Sequence, residues 1–191
     1  MPFIAINFDA MRHIHLILAA AILSTAVVLG QSSSVKKEEQ AQKHAERVEK
    51  RKIRIEQYTR HIDSLVTVRS FTFTPNTFQR QPAGPMRQIT NPNFELNVYP
   101  DWIDVCLPYI TGVVPPYRIT VFNYAVPGAT ITDYMAAQTS EGWEITFSTS
   151  LFSANTYKFQ LQIATATGSA TLDITSEMFN TVSYWGQIIG N

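Results

Sequence analysis

Tyr157-Lys-Phe-Gln-Leu-Gln-Ile-Ala164 decides the fold. Tyr157, Phe159, Leu161 and Ile163 occupy alternate positions, with Lys158, Gln160 and Gln162 between them. A period of two puts every large apolar side chain on one face of an extended strand. Ser153-Ala-Asn-Thr156 before it and Thr167-Gly168 after it are turn sequences. The pattern repeats outward. Trp143, Ile145 and Phe147 alternate with Glu144, Thr146 and Ser148 behind the hairpin turn Thr139-Ser-Glu-Gly142, and Ala170, Leu172 and Ile174 alternate with Thr171, Asp173 and Thr175. Residues 182–189 form one more strand. Upstream, residues 68–74 place Phe71 and Phe73 on one face, and residues 75–92 are turn-rich and predict a long irregular excursion. Phe94, Leu96 and Val98, then Ile103, Val105 and Leu107, flank Pro100-Asp101 as a hairpin. Residues 118–125 are a strand bounded by Pro127-Gly128, and residues 129–138 are a strand of weaker pattern.

Short strands with one wet face, closely spaced and joined by short turns, predict an antiparallel meander over residues 66–191. No alternation of strand and helix points to a parallel sheet. The Tyr157–Ile163 strand alone buries four large side chains, at roughly 1.5–3 kcal/mol each. Several such faces cannot be buried on a flat layer, so the expected class is mainly β (α+β), curled into a barrel or sandwich-like body.

Cys106-Leu-Pro-Tyr-Ile-Thr-Gly-Val-Val-Pro-Pro-Tyr117 separates the two halves. Each proline fixes φ and removes a ladder donor, which predicts a rigid crossover loop and not a central strand. Its tyrosines either pack their rings or stand at a binding mouth. Pro115-Pro116 favours an extended backbone and gives the next aromatic a defined direction. The expectation is that Tyr117 packs inward with its hydroxyl bonded and that Tyr109 is the more exposed.

Residues 1–30 read as a signal peptide: Arg12, an apolar run from Ile14 to Gly30, and small polar residues after it. A run of seventeen residues is at the short limit for a bilayer span, so cleavage after Gly30 is expected. Leu29-Gly30-Gln31 has the form of a lipoprotein signal with Gln in place of the acylated Cys, which leaves nothing to lipidate. Initiation at Met11 would give a more ordinary signal. The expected product is periplasmic or extracellular, without stable membrane insertion after cleavage.

Residues 31–65 form a charged helix, because from Val35 onward they lack Gly and Pro and are rich in Lys, Glu, Gln, Arg and Ala. Ala41, Ala45, Val48, Ile55, Ile62 and Leu65 share a face that Lys52 and Thr59 interrupt, too weak a seam for a coiled coil. The first half is expected to be solvated and residues 53–65 to pack on the body.

The chain of 191 residues has a formal net charge of zero and 45% hydrophobic residues, one domain's worth plus attachments. The zero hides nine Lys/Arg against six Asp/Glu in residues 35–64, and five against eight in residues 65–191. No basic excess points to nucleic acid. The four histidines, His13, His15, His44 and His61, all precede the β body, and Cys106 is the single cysteine. No intrachain disulfide can form. A Cys–His nucleophile would need His61 to reach the sheet, zinc-ligand clusters are absent, and no phosphate or dinucleotide loop occurs. No cofactor, metal or catalytic residue is therefore assigned. The carboxylate pairs Asp101/Asp104 and Glu141/Glu144 leave open a hydrolase with two acids across a cleft.

The first functional reading is an exported, non-enzymatic β module. Its interior or mouth takes a small apolar or saccharide-like ligand on Tyr109, Tyr117 and Trp185. The alternative is a structural or protein-interaction module that uses the helix or a sheet edge. A lined cavity would favour the first, and a filled core with an exposed apolar patch the second.

Leu107-Pro-Tyr109, Pro116-Tyr117, Gly142-Trp-Glu-Ile-Thr-Phe147 and Val182-Ser-Tyr-Trp-Gly-Gln-Ile188 resemble the Bacteroidetes domain-of-unknown-function family 4251 over about Val35 to the C-terminus. Thr111, between Ile110 and Gly112, and Arg118-Ile119 depart from its pattern. The resemblance implies an export signal, a Lys-rich helix and a location in the envelope of a Gram-negative cell. It implies no activity.

Overall fold

Helix α1 (Phe8–Val68) precedes ten strands: β1 (Phe71–Arg80), β2 (Arg87–Gln88), β3 (Glu95–Val98), β4 (Trp102–Thr111), β5 (Arg118–Thr130), β6 (Thr132–Gln138), β7 (Gly142–Leu151), β8 (Asn155–Ala164), β9 (Ser169–Ser176) and β10 (Val182–Gly190). The computed structural model describes residues 8–151 and 155–190, with side chains from Lys37 onward except at residues 124–127 and 151. The side chains of the expected signal, and residues 153–154 of one expected turn, lie outside the described residues.

The chain divides into two compact units, Met1–Lys52 and Ile53–Asn191. In the first, every described side chain from Lys37 to Lys52 is exposed. Lys43 pairs with Glu39 at 2.6 Å and Lys50 with Glu46 at 2.5 Å, both one helical turn apart. Such exposed pairs add about 0.2–0.5 kcal/mol each, so this stretch is helical chiefly through its composition.

In the second unit, the end of α1 is part of the core. Ile62 and Val66, four residues apart on one face, are buried, and Leu65 packs beside them. The helix stops in a Schellman arrangement. The Ser70 amide donates to the Leu65 carbonyl and the Arg69 amide to the Val66 carbonyl, both at 3.1 Å, with Arg69 at φ 56°. The Arg69 guanidinium then lies 4.1 Å over the Tyr134 ring.

The strands form one antiparallel ten-stranded sheet in the order β5-β4-β3-β1-β10-β9-β8-β7-β6, with β2 paired to β1. The two edge strands, β5 and β6, are joined through Ile131 alone. A sheet whose first and last strands are one residue apart must curl until its ends meet. Among the described residues no ladder joins β5 to β6, so the sheet stays an open curl and not a closed barrel. The alternating residues expected to face inward do so: Phe71, Phe73, Leu96, Val98, Ile103, Val105, Leu107, Ile145, Phe147, Phe159, Leu161, Leu172 and Ile174 are all at 0–1% exposure. Side chains fill the inner face. Phe147 stacks on Phe159 at 4.9 Å between centroids, and Tyr184 on Phe78 at 6.1 Å.

Four expectations change. The turn-rich reading of residues 75–92 was too broad, because β1 runs to Arg80. Pro75 sits where the register shifts between Pro75 and Thr77, and a bulge tolerates the missing donor. The proline stretch is no crossover loop. β4 continues through Pro108 to Thr111 and forms a hairpin with β5, Thr111 opposite Arg118. Pro108 is admitted because β3 pairs with β4 only as far as Cys106. Its carbonyl accepts from the buried Tyr184 hydroxyl at 2.8 Å. The remaining loop, residues 112–117, contains a cis Pro115–Pro116 bond in place of the expected extended run. Finally, β5 does not end before Pro127-Gly128 but continues to Thr130.

Candidate functional site

The three aromatic residues singled out from the sequence go to three different places. Tyr109 is 1% exposed, on the inner face of β4. Its ring meets Phe122, Tyr157 and Phe179 at centroid distances of 5.3, 6.0 and 6.3 Å. Burial, with Tyr157 beside it, pushes its hydroxyl up to about 12. Tyr117 is 37% exposed, with the Arg80 guanidinium 4.0 Å over its ring. The expected orientation of the pair is thus reversed. The cause is strand parity: β4 does not stop at Pro108, and Tyr109 follows Ile103, Val105 and Leu107 on the inward side.

Trp185 takes the opposite phase on β10 and lies on the outer face, in a groove of about 470 Å³. Across that face Glu144, Gln162, Thr171 and Trp185 stand opposite one another on β7, β8, β9 and β10. The Gln160 amide donates to Glu144 Oε1 at 2.8 Å. Glu141, in the β6–β7 turn, and Asn76, at the β1 bulge, also line it, together with Thr139, Trp143 and Ser169. The carboxylates Glu141 and Glu144, noted in the sequence as a pair, therefore share a groove with Trp185. Asn76, Gln162 and Thr171 were not singled out. Their signal was present in the polar positions of the alternating strands, but only the register shows that they form one row.

A second acidic group surrounds the lone cysteine. Glu95 is paired with Cys106 and Asn97 with Asp104, and Asn97 Nδ2 donates to Glu95 Oε1 at 2.9 Å. Burial first, then Asp104 and Glu95, push the Cys106 thiol above its ordinary value. Burial and Glu95 raise Asp104, against the hydrogen bond from Asn97. A thiol held protonated is a poor nucleophile. His61 is no partner for it, since it lies beside Gly190 of β10, three strands from β4. Asp101 and Asp104 are not brought into that groove. Among the described residues, no group of His, Cys, Asp and Glu is placed to hold a metal ion, and no helix is long and apolar enough to cross a membrane.

The other prominent surface is apolar. Val113, Val114, Tyr117, Ile119 and Val121, in the β4–β5 loop and the start of edge strand β5, are 37–71% exposed. Ile119 and Val121 stand opposite Ile110 and Pro108 on β4. β5 is bonded to β4 on one side only.

A curled antiparallel sheet with a helix end in its core, buried side chains along its inner face and a groove on its outer face defines a mainly β protein. Residues 37–188 match the family described as Domain of unknown function (DUF4251), and the chain belongs to that family. A crystal structure of a DUF4251 family protein from Bacteroides eggerthii DSM 20697 has the same fold, with a TM-score of 0.54 at 14% identity, covering 70% of this chain and 87% of that one. No curated protein matches the chain.

Proposed function

We propose that this chain is an exported, non-enzymatic interaction module that presents the edge of β5 and the residue 112–117 loop to a protein partner in the cell envelope. The observation that carries the reading is the run of exposed apolar side chains formed by Val113, Val114 and Tyr117 in the loop and by Ile119 and Val121 on β5, a strand bonded on one side only. A free edge supplies main-chain donors and acceptors for an added strand, and the neighbouring side chains supply contact area. The packed inner face argues for this surface over an internal ligand cavity. Export rests on the apolar run Ile14–Gly30 with Arg12 before it.

A photo-crosslinking residue at Val114 or Ile119, introduced in the full chain in cells, is expected to give an adduct of discrete mass that Ile119→Lys abolishes. The same probe at Met135, which is 66% exposed on the opposite edge strand, should give none. Equal yields at both edges would defeat the edge reading. The envelope form is expected to begin at Gln31, and a mature chain that retains residues 14–30 would defeat cleavage.

A further inference from the structure

We propose that the outer-face groove around Trp185 is a binding site for a short saccharide that carries no acidic groups. The groove lies on β7–β10, well away in the strand order from the β5 edge, and stands or falls independently of that surface.

Its lining selects the ligand class. Trp185 offers part of an indole face, a flat apolar platform of the kind on which the C–H face of a sugar ring rests. Around it, Gln162 and Asn76 can donate and accept, Thr171 can do both through its hydroxyl, and Glu141 and Glu144 accept. A mixed set of this sort matches hydroxyl groups, each of which donates and accepts. Among the described residues, no Lys or Arg lines the groove. Phosphate, sulfate and uronic acids would therefore meet two carboxylates with no compensating cation. An acyl chain would press these amides and carboxylates against carbon and strip them of water.

Size and rigidity agree with this. Glu144, Gln162, Thr171 and Trp185 come from four neighbouring strands at about 4.8 Å spacing, so the row spans about 14 Å, suited to several sugar rings in line. Each member is fixed by ladder pairing, and Glu144 is further held by Gln160. A site on paired strands needs little ordering when it binds.

The test is a glycan array of neutral, amino and acidic oligosaccharides probed with the full chain, followed by titration calorimetry on any hit. Binding to neutral or amino oligosaccharides, and not to uronic or sialic acids, is expected. Trp185→Ala should weaken it about tenfold or more, Trp185→Phe should keep much of it, and Glu144→Gln should weaken it without altering the melt. Circular dichroism on each variant separates lost binding from lost fold, and Glu144→Gln carries the test if Trp185→Ala unfolds. Three results would overturn the proposal: no neutral or amino glycan bound at millimolar concentration, binding unaffected by Trp185→Ala, or salt-sensitive binding of spermine or an oligolysine probe with no glycan bound. The last would make the groove a cation site.

Discussion

Tyr109 and Tyr117 are eight residues apart and meet opposite fates, which sets the expected mutational contrast. Tyr109→Ala excavates an aromatic enclosed by Phe122, Tyr157 and Phe179, and a loss of about 3–5 kcal/mol is expected in urea denaturation. Tyr117→Ala removes an exposed ring that lies under the Arg80 guanidinium, and should cost about 1 kcal/mol or less. The same burial gives a pH dependence. Tyr109 has its hydroxyl pushed from 10 up to about 12, so the unfolded chain releases this proton first. Its contribution is fully present below pH 10 and is lost as the pH rises toward 12. Tyr184, whose hydroxyl burial also raises well above 10, acts in the same sense. Phenolate absorbance should rise together with loss of the near-ultraviolet circular dichroism signal; titration of all tyrosines near pH 10 in a folded chain would refute this. The inward side of Tyr109 was legible in the alternation from Ile103. Pro108 masks it, because a proline reads locally as the end of a strand.

Proline placement shows what local pattern can and cannot give. Alternation alone identified most strands, because the inner-face residues of β7, β8 and β9 repeat at intervals of two. It missed the second half of β1 and the end of β4, since a proline is excluded from a strand only where a ladder needs its donor. Whether one is needed depends on the neighbouring strand's length and on bulges, and neither is written locally. Gly186 belongs to the same class of long-range constraint. A Cβ there would lie 2.1 Å from the Thr74 carbonyl oxygen on β1, so Gly186→Ala must push β1 and β10 apart beside the bulge. A destabilisation of about 1–3 kcal/mol is expected in thermal melts. An unchanged melt would mean that the bulge absorbs the methyl group freely.

The division at Lys52 predicts that a chain beginning at Ile53 keeps the cooperative melt of the full chain, while one beginning after Val66 loses it, because Ile62 and Val66 are core residues. Equal melts for both would show that the sheet buries its inner face without the helix. The sequence carried the inner-face set and the burial of the helix end at Ile62, whereas Ile53 and Ile55, expected to pack as well, are exposed. It could not carry the groove or the exposed edge, which depend on strand order. That order has a kinetic consequence. β1 lies mid-sheet and pairs with β10, over a hundred residues later in the chain, whereas β3–β5 and β6–β9 are each joined by successive hairpins. Closing so long a loop costs entropy before it gains contacts, so the hairpin ribbons should assemble first and the β1–β10 zip last. Ile188→Ala is then expected to speed unfolding and leave the refolding rate nearly unchanged, while Leu161→Ala slows refolding. Stopped-flow measurement of both arms decides it; slowed refolding in Ile188→Ala would put the zip in the nucleus. A late zip would also mean that a chain emerging residue by residue cannot complete its sheet until β10 is free, whatever hairpins have formed before it.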